Sequence, residues 1–202
     1  MWRREEFFLC IFLKKNLDND LKIWDTVSEH ERGNMRVRIH ARGLAKTFRL
    51  AMYGMVEYSM VKLIPSKRLR NNLEINIHMR KHPESGEAMI DEFANRSRPR
   101  SFRVILDPSK MKYNDSGEER SETEISYEIL KTLGHELVHV KQYVRRELTT
   151  DRNGALRYNG VHYYVNNLLE YFDLPYEIEA YGREKGLLIG FLAIWKDIEE
   201  ML

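Results

Sequence analysis

The chain has 202 residues, 43% hydrophobic and 32% charged, with a formal net charge of +2. That length suits one domain with a real apolar core, and the composition is that of a charge-rich globular protein without repeats or low-complexity segments. A single cysteine, Cys10, excludes an intramolecular disulfide, points to a reducing compartment and reads as a packed core residue.

The charge is uneven along the chain. Residues 1–110 carry 22 Lys and Arg against 14 Asp and Glu, a balance of +8; residues 111–202 carry 11 against 17, a balance of −6. A solvated helix face is the commoner cause of such a split, and a basic surface for nucleic acid, built from Arg36, Arg38, Arg42, Lys46 and Arg49, is the alternative.

Near the N-terminus the apolar run Phe7–Leu13 follows Trp2-Arg3-Arg4. Glu5 and Glu6 interrupt the positive region, and Lys14, Lys15 and Asn16 follow where a secretory signal would have small residues. The run is also far too short to span a bilayer. The expectation is a cytoplasmic protein with no membrane segment. Residues 1–40 read as an N-terminal extension, with a short helix at 5–15, and residues 41–202 as one domain.

From Ala41 to Ile64, Leu44, Phe48, Ala51, Met52, Met55, Val56, Met60 and Leu63 recur at helical spacing until Pro65 stops the helix. Its methionines read as core. Leu73–Met79 alternates apolar and polar residues as a half-buried strand does, with His78 on the polar face. A second strand spans Ser101–Asp107 and ends at Pro108. The stretch between them is broken by Pro83, Gly86 and Pro99, with one short strand or turn around Ala88–Phe93. Residues 111–120 form a loop.

Ser121-Glu122-Thr123-Glu124 is a capping-box signature, so a helix starts at 121 or 122 and runs to about Glu147. It carries His135-Glu136-Leu137-Val138-His139. Two histidines four residues apart share one helix face about one turn apart, so both imidazoles can reach one cation with Glu136 beside it. Zinc held by nitrogen and carboxylate ligands with one open position lowers the pKa of its water toward ~7, and a neighbouring carboxylate can take the proton. Glu136 is the candidate general base. The uncharged Leu133, Leu137, Val138 and Val140 around the pair favour a buried helix over one with solvent-facing histidines.

Downstream, Asp151–Gly154 is a turn, and Ala155–Val165 reads as a hairpin about Asn159-Gly160. Pro175 opens a last helix to about Glu199, capped by Asp173. A two-histidine site of this kind needs a third protein ligand. Glu177, Glu179, Glu184, Glu170, Asp173 and His162 are the candidates. Glu177 and Glu179 stand about 200° apart on a helix, so the two cannot share the metal.

The segment from about 100 to 185, with its strand, loop, His-Glu-Leu-Val-His helix, hairpin and Pro-Tyr-Glu-Ile-Glu-Ala run, resembles the zincin metallopeptidases. It is most similar to small gluzincin-like and SprT-like proteins, many of them bacteriophage-encoded. Lys141 departs from the family's preference for an apolar residue two after the second histidine. The resemblance implies an α+β, zincin-like fold: a small mixed sheet, a backing helix over 41–64, the active-site helix, and a C-terminal helix bearing the third ligand. In gluzincins that ligand is a glutamate followed by alanine, which designates Glu179; SprT-type proteins use a histidine, for which His162 is available. The resemblance also implies that the strand nearest the metal, here Phe102–Leu106 unless it is interior, receives extended substrate by main-chain pairing.

The function implied is a zinc metallopeptidase with His135, His139 and Glu179 on Zn2+, Glu136 as base, and a protein or peptide substrate, acting in the host cytoplasm if phage-encoded. A tyrosine often assists in such sites, and Tyr163, Tyr164 and Tyr181 are available. Iron(II) suits the same ligands. The competing reading is a non-catalytic zinc-stabilised binding module whose basic N-terminal half contacts nucleic acid, and a third combines the two. A purely structural site has no use for Glu136 and closes all four positions with protein ligands.

Overall fold

Alternation of apolar and polar side chains builds the main sheet. The computed structural model describes residues 35–150, 155–164 and 167–199. Strand β1 (Arg36–His40) pairs parallel with β2 (Glu74–Met79), β2 pairs parallel with β4 (Ser101–Leu106), and β4 pairs antiparallel with β3 (Gly86–Ile90), in the order β1-β2-β4-β3. In register, Ile39, Ile77 and Val104 form one row, and Ile75 and Phe102 are paired in another, all buried in the core. The next row, Arg38, Asn76 and Arg103, is only half-buried on the opposite face.

Two expectations are corrected here. β1 lies before residue 41 and is paired into the sheet, so the last residues of the expected extension belong to the domain. The strand Phe102–Leu106 is interior, with β2 on one side and β3 on the other; among the described residues the sheet's edges are β1 and β3, and β3 is the one beside it. The run Phe7–Leu13, Cys10 and the helix expected at 5–15 lie outside the described residues.

The helices pack over the apolar face. α1 (Lys46–Leu63) stops just short of Pro65, whose ring disfavours helical backbone in the residue before it. It buries Met52, Met55, Val56 and Met60 completely against its neighbours, as expected of a backing helix, and a short α2 (Lys67–Arg70) follows. A 3-10 turn (Pro108–Met111) leads from β4 toward α3 (Glu122–Arg145). At the start of α3 the Ser121 hydroxyl accepts from the Glu124 N–H, and the Glu124 carboxylate accepts from the Ser121 N–H, so the capping box is present. After α4 (Leu168–Phe172), α5 (Pro175–Glu199) packs across α3, and α1 touches both. Asp173 is the C-cap residue of α4 rather than the cap of α5, which begins with the Leu174 carbonyl accepting from the Ile178 N–H.

A second, antiparallel sheet joins β5 (Leu148–Thr150), β6 (Leu156–Tyr158) and β7 (Val161–His162). The hairpin turn has Asn159 at φ 49° and Gly160 at φ 81°, the two positive angles that a two-residue Asn-Gly turn requires. The architecture is mixed α+β. Among the described residues no helix is long and apolar enough to cross a membrane.

Candidate metal centre

The middle of α3 is buried on all sides, because the sheet lies on one side of it and α1 and α5 on the others. His135, Glu136 and His139 are 7%, 5% and 7% exposed. On α5, Glu177 is 3% exposed and faces them. Its Oε2 stands 3.2 Å from His135 Nε2 and its Oε1 3.5 Å from His139 Nε2, while the two Nε2 atoms are 3.2 Å apart. These three residues form a buried group able to hold a metal ion. Ligand atoms about 2.0–2.1 Å from a tetrahedral zinc lie roughly 3.3 Å from one another, so the spacing and the nitrogen, nitrogen, oxygen donor set both fit.

The outer nitrogens of the two rings are already engaged. Glu184 Oε2 is 3.0 Å from His135 Nδ1, and Gln142 Oε1 is 2.9 Å from His139 Nδ1. Each acceptor fixes the proton on Nδ1 and turns the Nε2 lone pair toward Glu177, the second layer that metal-binding histidines need. The Tyr171 hydroxyl bonds to Glu177, and the Tyr181 ring meets His135 edge-on with centroids 4.5 Å apart.

The local field favours positive charge between the imidazoles. Burial disfavours the imidazolium of His135, but its bonds to Glu177 and Glu184 outweigh that and raise its pKa to about 9. His139 is raised too, burial being overcome by Glu177 and Glu136. For Glu177 burial works upward, and the bonds to both histidines still bring it down to about 2. Glu136 goes the other way, pushed up to about 7 by burial against the pull of His139 and His135. Buried carboxylates in this number require compensating cations.

Glu136 has a particular neighbour. A Cβ on Gly86, the first residue of β3, would lie 2.5 Å from Glu136 Oε1 and 2.7 Å from Thr132 Cγ2. A side chain at this position would force the strand or the Glu136 carboxylate to shift.

Glu179 does not join the group. Its carboxylate accepts from Lys141 Nζ at 2.8 and 3.0 Å, from Gln142 Nε2 at 3.1 Å and from Arg183 Nε at 2.9 Å. The physical reason is Lys141, 5% exposed, whose buried ammonium needs counter-charges and finds them in Glu179 and in Glu147, 2.6 Å away. Glu177 and Glu179 point to different partners, as their spacing on a helix requires, but it is Glu177 and not the expected Glu179 that faces the histidines.

The other candidates are placed elsewhere. His162 lies on β7, accepts from Arg157 Nε and stacks near Tyr164. Glu170 accepts from Asn167 at the start of α4. Tyr163 and Tyr164 are exposed beyond β7. His78 stacks on His40, with centroids 4.4 Å apart, on the sheet face away from the helices. Of the basic residues named for nucleic acid, Arg36 and Arg38 pair with Glu74, and Arg49 donates to the carbonyls of Ile39 and Ala41.

Glu177, against expectation, and Glu184, one of the six candidates, both stand at the site. Glu184 and Glu177 are seven apart, hence on one face of α5, and the buried Ala180, Leu187, Phe191 and Ile194 continue that stripe. The stripe is visible in the sequence and places both glutamates toward α3. Scanned against protein-family models the chain matches none, and comparison with curated proteins and with solved structures gives no match.

Proposed function

We propose that this chain is a zinc metallopeptidase of the zincin type, with His135, His139 and Glu177 as the ligands and Glu136 as the general base. The observation that carries this reading is the convergence of two Nε2 atoms and a carboxylate within 3.5 Å of one another, beside a further buried carboxylate that is not a ligand. When bound, zinc supplies Lewis acidity toward a carbonyl and a more acidic water.

The rest falls to the chain. Glu184 and Gln142 hold the imidazoles in the ligating tautomer. Glu136 sits next to His135 in sequence and against β3 in space, so it is placed to take a proton from water and return it to the leaving amine. Among the described residues β3 has no strand on its outer edge. An extended peptide adding there would be held by main-chain hydrogen bonds, with its backbone passing Gly86 and the base. The proposed site of action remains the cytoplasm.

The test is hydrolysis of a mixed peptide library by zinc-loaded protein, with Glu136→Gln beside it. Cleavage by the wild type and not by the variant supports the reading. A wild type that binds zinc without cleaving any peptide favours the non-catalytic module.

A further inference from the structure

The side of His139 away from Glu177 is built with unusual care. Gln142 is completely buried, and all of its amide is used: Nε2 donates to the Tyr176 carbonyl at 3.0 Å and to Glu179 Oε2 at 3.1 Å, and Oε1 is 2.9 Å from His139 Nδ1. Two acceptors on one end leave no choice about which end carries the nitrogen. Flipping the amide would set its oxygen against a carbonyl and a carboxylate, and turn an NH2 group onto the Nδ1 proton. Glu179 is itself pinned, by Lys141 and by Arg183 one helical turn on. Lys141 in turn is anchored by Glu147, just beyond the end of α3.

We propose that Lys141 and Glu179 are positioning residues for the metal centre, fixing the Gln142 amide so that it accepts from His139 Nδ1 and leaves Nε2 free to bind the ion. The inference rests on the metal-centre reading above and adds to it a role for the one residue that breaks the family's sequence preference. A lysine buried two residues after a ligand is costly unless its charge is used. Here it holds the Glu179 carboxylate from α3, while Arg183 holds it from α5. The chain Lys141, Glu179, Gln142, His139 runs from α3 to α5 and back, so it also ties the ligand's orientation to the packing of the two helices. Removing a partner of this kind typically costs ~10–100-fold in metal affinity.

The experiment is a double-mutant cycle on zinc affinity, read by competition with a chromogenic chelator, on Glu179→Ala, Gln142→Met and the double variant. If Glu179 acts through Gln142, each single change weakens binding by ~10–100-fold, and the double variant is no weaker than Gln142→Met alone. Glu179→Gln, which keeps an oxygen to accept from Gln142, should recover much of the loss, and Lys141→Met, which removes the donor that holds Glu179, replaces Glu179→Ala in the cycle if that variant does not fold. Losses that multiply in the double variant, or wild-type affinity in Glu179→Ala, overturn the relay while leaving the metal centre intact. A wild type that binds no zinc removes the centre and the relay with it.

Discussion

Glu177 and Glu179 lie two residues apart on α5 and serve opposite sides of one imidazole. Glu177 Oε1 is 3.5 Å from His139 Nε2, and Glu179 is linked to Nδ1 of the same ring through the Gln142 amide. A helix turns about 200° over two residues, so neighbouring glutamates can grip an adjacent helix from two directions. One of them faces the two imidazoles and the other Lys141.

Glu136→Gln keeps the shape of the side chain and loses its basicity. Zinc content and melting temperature should stay close to wild type while peptide cleavage falls by ~10²- to 10⁴-fold. Cleavage at the wild-type rate would reject Glu136 as the base.

Gly86→Ala tests the contact between edge strand and base. The added methyl would stand 2.5 Å from Glu136 Oε1, so either the strand or the carboxylate must move. Overpacking of this kind costs about 1–3 kcal/mol. The variant should bind zinc normally and be less stable, with a lower kcat. A variant as stable and active as wild type would show that β3 does not constrain the base.

Much of this arrangement could be read from residue order because it depends on local rules. The capping box at Ser121, the stop before Pro65, the Asn159-Gly160 turn and the opening of α5 at Pro175 are each decided within a few residues, and all four are found. The histidine pair is local too, since its geometry follows from helix pitch. The third member of the group is not local. Which glutamate faces α3 depends on how α5 rolls against it, and that is set by Leu187, Phe191 and Ile194 far along the helix and by the demand of Lys141 for a partner. The strand order was likewise hidden, because β3 is short and its pairing with β4 is decided by the β4 residues across from it. β5, three residues directly after α3, is too brief to show any period.

Asp107 offers a test by pH. Burial raises its pKa, but bonds from the Ser109 hydroxyl and from the backbone N–H groups of His82 and Ser109 bring it below the ordinary carboxylate value. A group depressed on folding stabilises fully above its unfolded pKa of ~3.9, and that stability is lost as pH falls through the folded value. Asp107→Asn should therefore lower the melting temperature at pH 7 by roughly 3–10 °C, from the loss of charge-assisted bonds. The gap should close below the depressed pKa. A gap that does not change with pH would mean that shape rather than charge matters there.

Chelation should loosen the junction of α3 and α5 without dissolving the core. The group that could hold an ion draws on both helices, and an ion bound there would add binding free energy to the folded state. Hydrogen exchange is expected to rise in residues 135–142 and 175–184, while β2 and β4, whose inward residues are fully buried, stay protected. The melting temperature should fall. Exchange that rises uniformly, or not at all, would show that no ion joins the two helices.

The central claim is tested most directly by zinc content, measured by elemental analysis after equilibration with zinc and removal of free metal, on the wild type, Glu177→Ala and Glu179→Ala. The expected result is one zinc per wild-type chain, none retained by Glu177→Ala, and binding that is weakened but still detectable in Glu179→Ala. Zinc retained equally by the wild type and Glu177→Ala, or lost from Glu179→Ala alone, would contradict the ligand set His135, His139 and Glu177.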